Sequence, residues 1–128
     1  YTPNDFKHQF MKSLPSRGMC SVAVTDYCNL FAAVKLYKTA TDAGIKPIIG
    51  ADVPCHDLQT PEQVSSMVFL CQNNEGYKNL TCLVSKAYQE GQYQGQPRVQ
   101  YPWIAEYSEG LIVLSGGISG DIGQAILA

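Results

Sequence analysis

The chain has 128 residues, 45% of them hydrophobic, which suits one domain with a core of its own. A formal net charge of −2 excludes a basic nucleic-acid grip built from this chain alone. No apolar run is long enough to span a bilayer, and Tyr1-Thr2-Pro3-Asn4-Asp5 lacks the basic-then-apolar order of a secretory signal.

In chain order, Thr2 can cap a helix that Pro3 and Asp5 favour, with Phe6, Phe10, Met11 and Leu14 at helical spacing and Gly18 closing the segment. Cys20 to Val24 is a short β-branched run, hence a buried strand, and Asp26 to Asn29 is a turn. Leu30, Phe31, Val34, Tyr37 and Ala40 mark a second helix that Gly44 stops. Ile45 to Val53 predicts a strand buried on both faces. Pro54 to Gln63 is polar with two prolines and predicts a loop; Met67 to Cys71 predicts a third strand. Asn73 or Asn74 opens a helix carrying Tyr77, Leu80, Val84 and Tyr88. Gly91 to Pro97 reads as a flexible loop, Pro102 to Tyr107 as a short helix, and Leu111 to Leu114 as a fourth strand. The small-residue loop Ser115 to Gly120 then leads into a helix starting at Asp121. This alternation predicts an α/β domain with parallel strands, either an open sheet or an arc of a barrel.

Chemistry in such folds sits at the carboxyl ends of strands. Asp26 and Asp52 each follow a predicted strand there and could hold a hard divalent cation such as Mg²⁺ or Mn²⁺. The plainer reading, favoured on residue type alone, is that each orders a turn. Cys55-His56-Asp57 brings three ligand types together, but adjacent residues seldom converge on one ion, so it reads as an exposed polar loop. His8 reads as a residue of a solvated helix face; with two histidines in all, no multi-histidine centre can form. The Ser115 to Gly120 loop lacks both the P-loop ending and the G-x-G-x-x-G spacing. Five cysteines (Cys20, Cys28, Cys55, Cys71 and Cys82) without a C-x-x-C pair point to a reducing, cytosolic setting.

Four segments resemble one family. Thr25-Asp26-Tyr27-Cys28-Asn29-Leu30 is similar to a T-D-H-G-N-L segment, and Ala43-Gly44-Ile45-Lys46-Pro47-Ile48-Ile49-Gly50 to A-G-I-K-P-I-x-G. Asn74 to Leu80 with Leu83 to Tyr88 resembles the E-G-Y-x-N-L and L-x-S-x-A-Y run, and Glu109 to Gly117 resembles E-G-L-I-x-L-S-G-C. These are segments of the PHP (polymerase and histidinol phosphatase) domains of bacterial replicative polymerases, the DNA polymerase III alpha subunits. The forms at Tyr27, Asp52 and Gly117 resemble the gamma-proteobacterial type.

The resemblance implies a partial PHP domain over 1–128, part of a distorted seven-stranded β/α barrel related to the TIM barrel. It also implies that the family's opening His-x-His segment precedes this sequence and its closing Asp-x-His segment follows it. Carried over singly, the family's metal-binding His after T-D falls on Tyr27, its Glu on Asp52, its next His on Ser66 and its Cys on Gly117. Tyr, Ser and Gly are poor ligands at neutral pH. The resemblance therefore implies a vestigial metal site and no cofactor, with a loosely held Mg²⁺ or Mn²⁺ at Asp26 or Asp52 as the residual alternative. The implied role is that of a cytoplasmic scaffold within a DNA-directed DNA polymerase, a nucleotidyltransferase. Its partners would be the rest of the alpha chain and the epsilon proofreading exonuclease, with DNA reached through other domains and no membrane contact. The alternative is a metal-dependent phosphoesterase, a 3′–5′ exonuclease or pyrophosphatase, with a reduced site.

Overall fold

A computed structural model describes residues 13–117 and 120–127. The helix expected from Thr2 through Met11, with His8 on it, lies outside the described residues, as do Ile118 and Ser119. Leu14 is buried, and the single 3-10 turn Pro15–Arg17 ends at Gly18 in the left-handed conformation. The elements that follow are β1 (Ser21–Tyr27), α1 (Ala33–Asp42), β2 (Lys46–Asp57), β3 (Thr60–Cys71) and α2 (Asn74–Gln89). After them come β4 (Gln92–Tyr93), β5 (Gln96–Pro97), β6 (Val99–Gln100), α3 (Tyr101–Glu106), β7 (Leu111–Ser115) and α4 (Asp121–Leu127). No helix among the described residues is long and apolar enough to cross a membrane.

The main sheet runs in the order β1-β2-β3-β7, with β6 also paired to β2. β1 runs parallel to β2, as expected, and so does β6, a short strand that the sequence pattern did not mark. β3 does not: it is antiparallel to both β2 and β7, which corrects the expectation of uniformly parallel strands. The cause is the connection. Two residues, Leu58 and Gln59, separate β2 from β3, and so short a link can only turn the chain back on itself; a parallel return needs a crossover of a dozen residues or more. Asp57 shapes this turn, its Oδ1 accepting from Gln59 N at 3.1 Å.

The segment Pro54 to Gln63, expected as a loop, is thus the far half of a long β-hairpin. Its prolines are tolerated for local reasons. The Asp52 carbonyl accepts from Cys28 N, so the even-numbered backbone groups of β2 point toward β1. Pro54 comes after the last β1 pairing, at Asp52, and before the first β6 pairing, at Cys55, where no neighbour needs an N–H. Pro61 lies in the part of β3 beyond its pairing with β7. Gly91 to Pro97, expected as a flexible loop, holds the β4–β5 hairpin, turned by Gln94 and Gly95 with φ of 52° and 80°. The described strands form an open sheet and not a closed seven-stranded barrel.

Helices cover one face. The odd-numbered residues Ala51, Val53 and Cys55 of β2 and Phe69 of β3 pack with Leu80, Leu83 and Ala87 of α2 and with Val99. On β1, alternation places Val22 and Val24 against Leu36 and Ala40 of α1 and Ile45, beside Leu14. α2 starts at Asn73, whose Oδ1 accepts from Gly76 N at 2.9 Å. Gly76 is required there, since a Cβ would come within 1.9 Å of Gly110 O. Asn73→Ala should lower the unfolding free energy by about 1 kcal/mol, read as a shifted urea midpoint at constant slope. Gly76→Ala should cost more, because backbone rather than a side-chain tip blocks it.

Candidate functional site at the strand ends

Register assembles the site. Tyr27 pairs with Asp52 across β1 and β2, and Asp52 pairs with Val68 across β2 and β3. Ser66 is two residues before Val68, hence on the same sheet face as Asp52. Ser66 Oγ donates to Asp52 Oδ1 at 2.5 Å. β7 brings Gly116 against Ser66, where a Cβ would come 2.3 Å from the Ser66 carbonyl oxygen. Gly117 follows with φ of 62° and open space where a side chain would start. Tyr27, Asp52, Ser66 and Gly117 therefore lie along one stretch of the sheet.

Asp26 is not with them. It pairs with Ala51, so the pleat turns its side chain to the α1 face, opposite Asp52. There its Oδ2 accepts from Ala32 N at 3.0 Å and holds the start of α1. The two carboxylates do not share a site. Cys28 leaves β1 with φ of 57° and is buried. A non-glycine residue in that region carries a steric cost.

Beyond the end of β1 lies a cluster that sequence reading missed. Tyr27 hydroxyl accepts from Gln96 Nε2 at 2.6 Å, and Gln96 Oε1 accepts from Arg98 Nε at 2.9 Å. Arg98 also donates from Nη1 to Pro61 O at 2.7 Å and lies over the Tyr93 ring, 4.7 Å from its centroid. His56 is buried beside them, tilted against Tyr93, and not an exposed loop residue as Cys55-His56-Asp57 suggested. The β2–β6 pairing that encloses it joins residues more than forty positions apart and leaves no local pattern.

Burial, then the charge of Arg98, lowers the His56 pKa from its ordinary 6.5, with Asp57 acting weakly against them. Burial, then Cys28, raises that of the Tyr27 phenol, and Asp52 adds to the rise. The phenol therefore remains a neutral hydroxyl at physiological pH.

The PHP domain model matches residues 8–128. The chain belongs to the PHP domain family. It is similar to proteins named DNA polymerase III subunit alpha: 47% identical over 117 residues to that of Vibrio cholerae, and 43% over 117 to that of Escherichia coli K12. The Pseudomonas aeruginosa protein of the same name is 44% identical over 116 residues. Each alignment covers 91% of this chain, which spans about a tenth of the length of these relatives. The resemblance to gamma-proteobacterial alpha subunits thus holds across nearly the whole sequence.

The four positions Tyr27, Asp52, Ser66 and Gly117 do not supply the ligands that the resemblance implies for the family's metal cluster. Of the four positions, one is a carboxylate, one the serine hydroxyl bonded to it, one a neutral phenol and one a glycine. Among the described residues, no three His, Cys, Asp or Glu side chains are grouped to hold an ion. Hydrogen bonds instead link the strands there.

Two outcomes follow from this geometry. Cys28→Gly should leave stability within about 1 kcal/mol of the parent, since relief of the left-handed strain offsets the lost thiol burial, whereas the β-branched Cys28→Val should be clearly destabilised in denaturant titrations. The depressed His56 pKa makes the unfolded chain bind more protons between the folded-state pKa and 6.5. Stability should therefore decline as pH falls through that window, and His56→Phe should flatten the dependence in unfolding curves taken from pH 7.5 to 5.

Proposed function

We propose that this PHP domain serves a replicative DNA polymerase as a metal-free, cytoplasmic scaffold that docks the epsilon proofreading exonuclease. The domain would be an arc of a distorted β/α barrel, joined to the polymerase and DNA-binding parts of a longer chain. The observation that carries the metal-free reading is the Ser66–Asp52 hydrogen bond. The one carboxylate at the inherited ligand positions is taken up by a neighbouring strand, beside a phenol and a glycine that cannot activate water through a metal. Docking rests on the likeness to alpha subunits and needs an ordinary exposed interface, independent of the strand-end chemistry.

The test uses the full-length polymerase subunit and its Asp52→Asn form. Both should retain epsilon in size-exclusion chromatography, and neither should show metal-dependent phosphoester hydrolysis of its own once chelator-washed and resupplied with Mn²⁺ or Mg²⁺. Hydrolysis by the parent that Asp52→Asn abolishes would replace the scaffold with the phosphoesterase reading. Failure to retain epsilon would confine the domain to a structural role inside the polymerase.

A further inference from the structure

His56 and Arg98 come together through the β2–β6 pairing. His56 pairs with Gln100, and Arg98, two residues earlier, extends the same face. This face also carries Asp52 and Ser66, two pleats away along β2 and β3. His56 and Arg98 keep 4% and 9% of their surfaces exposed.

Among the described residues the Arg98 guanidinium meets only neutral groups: the Pro61 carbonyl, the Gln96 amide oxygen and the Tyr93 ring. No carboxylate lies within ion-pair distance of it among the described residues. Asp57, the acid nearest His56 in sequence, is exposed and turned to Gln59 N. Asp52 is engaged with Ser66. Among the described residues Arg98 Nη2 makes no hydrogen bond, and His56 Nδ1 is buried without a hydrogen-bond partner. A buried cation without a counter-charge and a buried orphan nitrogen beside it are each unfavourable, and one ligand would answer both.

We propose that Arg98 and His56 form a binding site for an oxyanion of the phosphate class. Arg98 supplies charge and the Nη2 donors. Neutral His56, protonated at Nδ1, supplies a second donor without becoming a cation. The donors come from different strands, and with Nε already engaged the guanidinium has no side-on Nε/Nη2 fork left for a planar carboxylate. A tetrahedral oxyanion can give one oxygen to each donor.

The probes are inorganic phosphate, pyrophosphate and a single-stranded oligonucleotide, titrated calorimetrically into the full-length protein and its His56→Phe and Arg98→Gln forms at constant ionic strength. His56→Phe keeps all three neutral contacts of Arg98 and is the variant on which the inference stands should Arg98→Gln unfold. One phosphate site is expected, weakened about tenfold or more by His56→Phe while the unfolding temperature without ligand is maintained. Saturation by phosphate or pyrophosphate identifies a small-molecule source; a His56-dependent response to the oligonucleotide alone identifies a nucleic-acid backbone. Unchanged affinity in folded His56→Phe, or no saturable binding by the parent, overturns the site and leaves Arg98 as a fastener of the hairpins. Equal competition by acetate overturns the phosphate class.

Discussion

The pairing of β2 with three neighbours governs the rest of the structure. β1 occupies its flank from Lys46 to Asp52, β6 takes over the same flank at Cys55 and His56, and β3 lines the other side from Gly50 to Asp57. The hand-over from β1 to β6 falls at Pro54, the residue that cannot donate a backbone hydrogen bond toward that flank. It also explains the left-handed turn at Cys28: β1 must leave the sheet there, and Cys28 N makes the last bond to β2, at Asp52 O. Shifting β2 by one residue would exchange its core set, Ala51, Val53 and Cys55, for Asp52, Pro54 and His56, so burial holds the register.

Backbone register also preserves the site while side-chain chemistry changes. Tyr27, Asp52, Ser66 and Gly117 are held in place by ladder bonds and by the close approach of Gly116 to Ser66, neither of which depends on what the side chains can bind. Residues of hydrogen-bonding rather than ligating type then connect the strands: serine to aspartate, and glutamine to tyrosine. A neutral phenol bonded to an amide tolerates half-exposure at little cost, whereas clustered carboxylates need a cation to offset their repulsion.

Local signals were readable where the elements are local. The helices themselves, the stops at Gly18 and Gly44 and the cap at Asn73 depend on neighbours within one or two turns. The buried faces were read only in part: Ala40 and Leu80 are buried as expected, but Phe31, Val34, Tyr37, Tyr77 and Tyr88 are exposed, and Leu36, Leu83 and Ala87 face the core in their place. The direction of β3 was readable too, in principle: no helix-forming stretch separates Val53 from Met67, so no crossover exists to make those strands parallel. Two prolines and the polar Glu62 and Gln63 obscured it. The strand pattern there is set by partners, β6 on one side of β2 and the Arg98 side chain on the Pro61 carbonyl, which the local sequence does not encode. The placement of Asp26 with α1 follows from the odd–even parity of a pairing that only long-range contacts establish.

β7 carries the consequence furthest. Leucine, isoleucine and valine occupy successive positions, the pattern of a strand meant for cover on both faces. Val113, on the helix-bearing face with Phe69, is itself 39% exposed; Ile112 and Leu114 lie on the other face, with Val68 and Leu70 of β3 beside them, and are 43% and 46% exposed. The same face changes character along its length, from these apolar residues to the Asp52–Ser66 pair and then to the buried His56 and Arg98. Apolar surface of this kind is stable when another surface packs on it, and a polar row is stable in water or against a polar ligand. One face thus presents two different demands, apolar cover at the β7 end and polar partners at the β6 end.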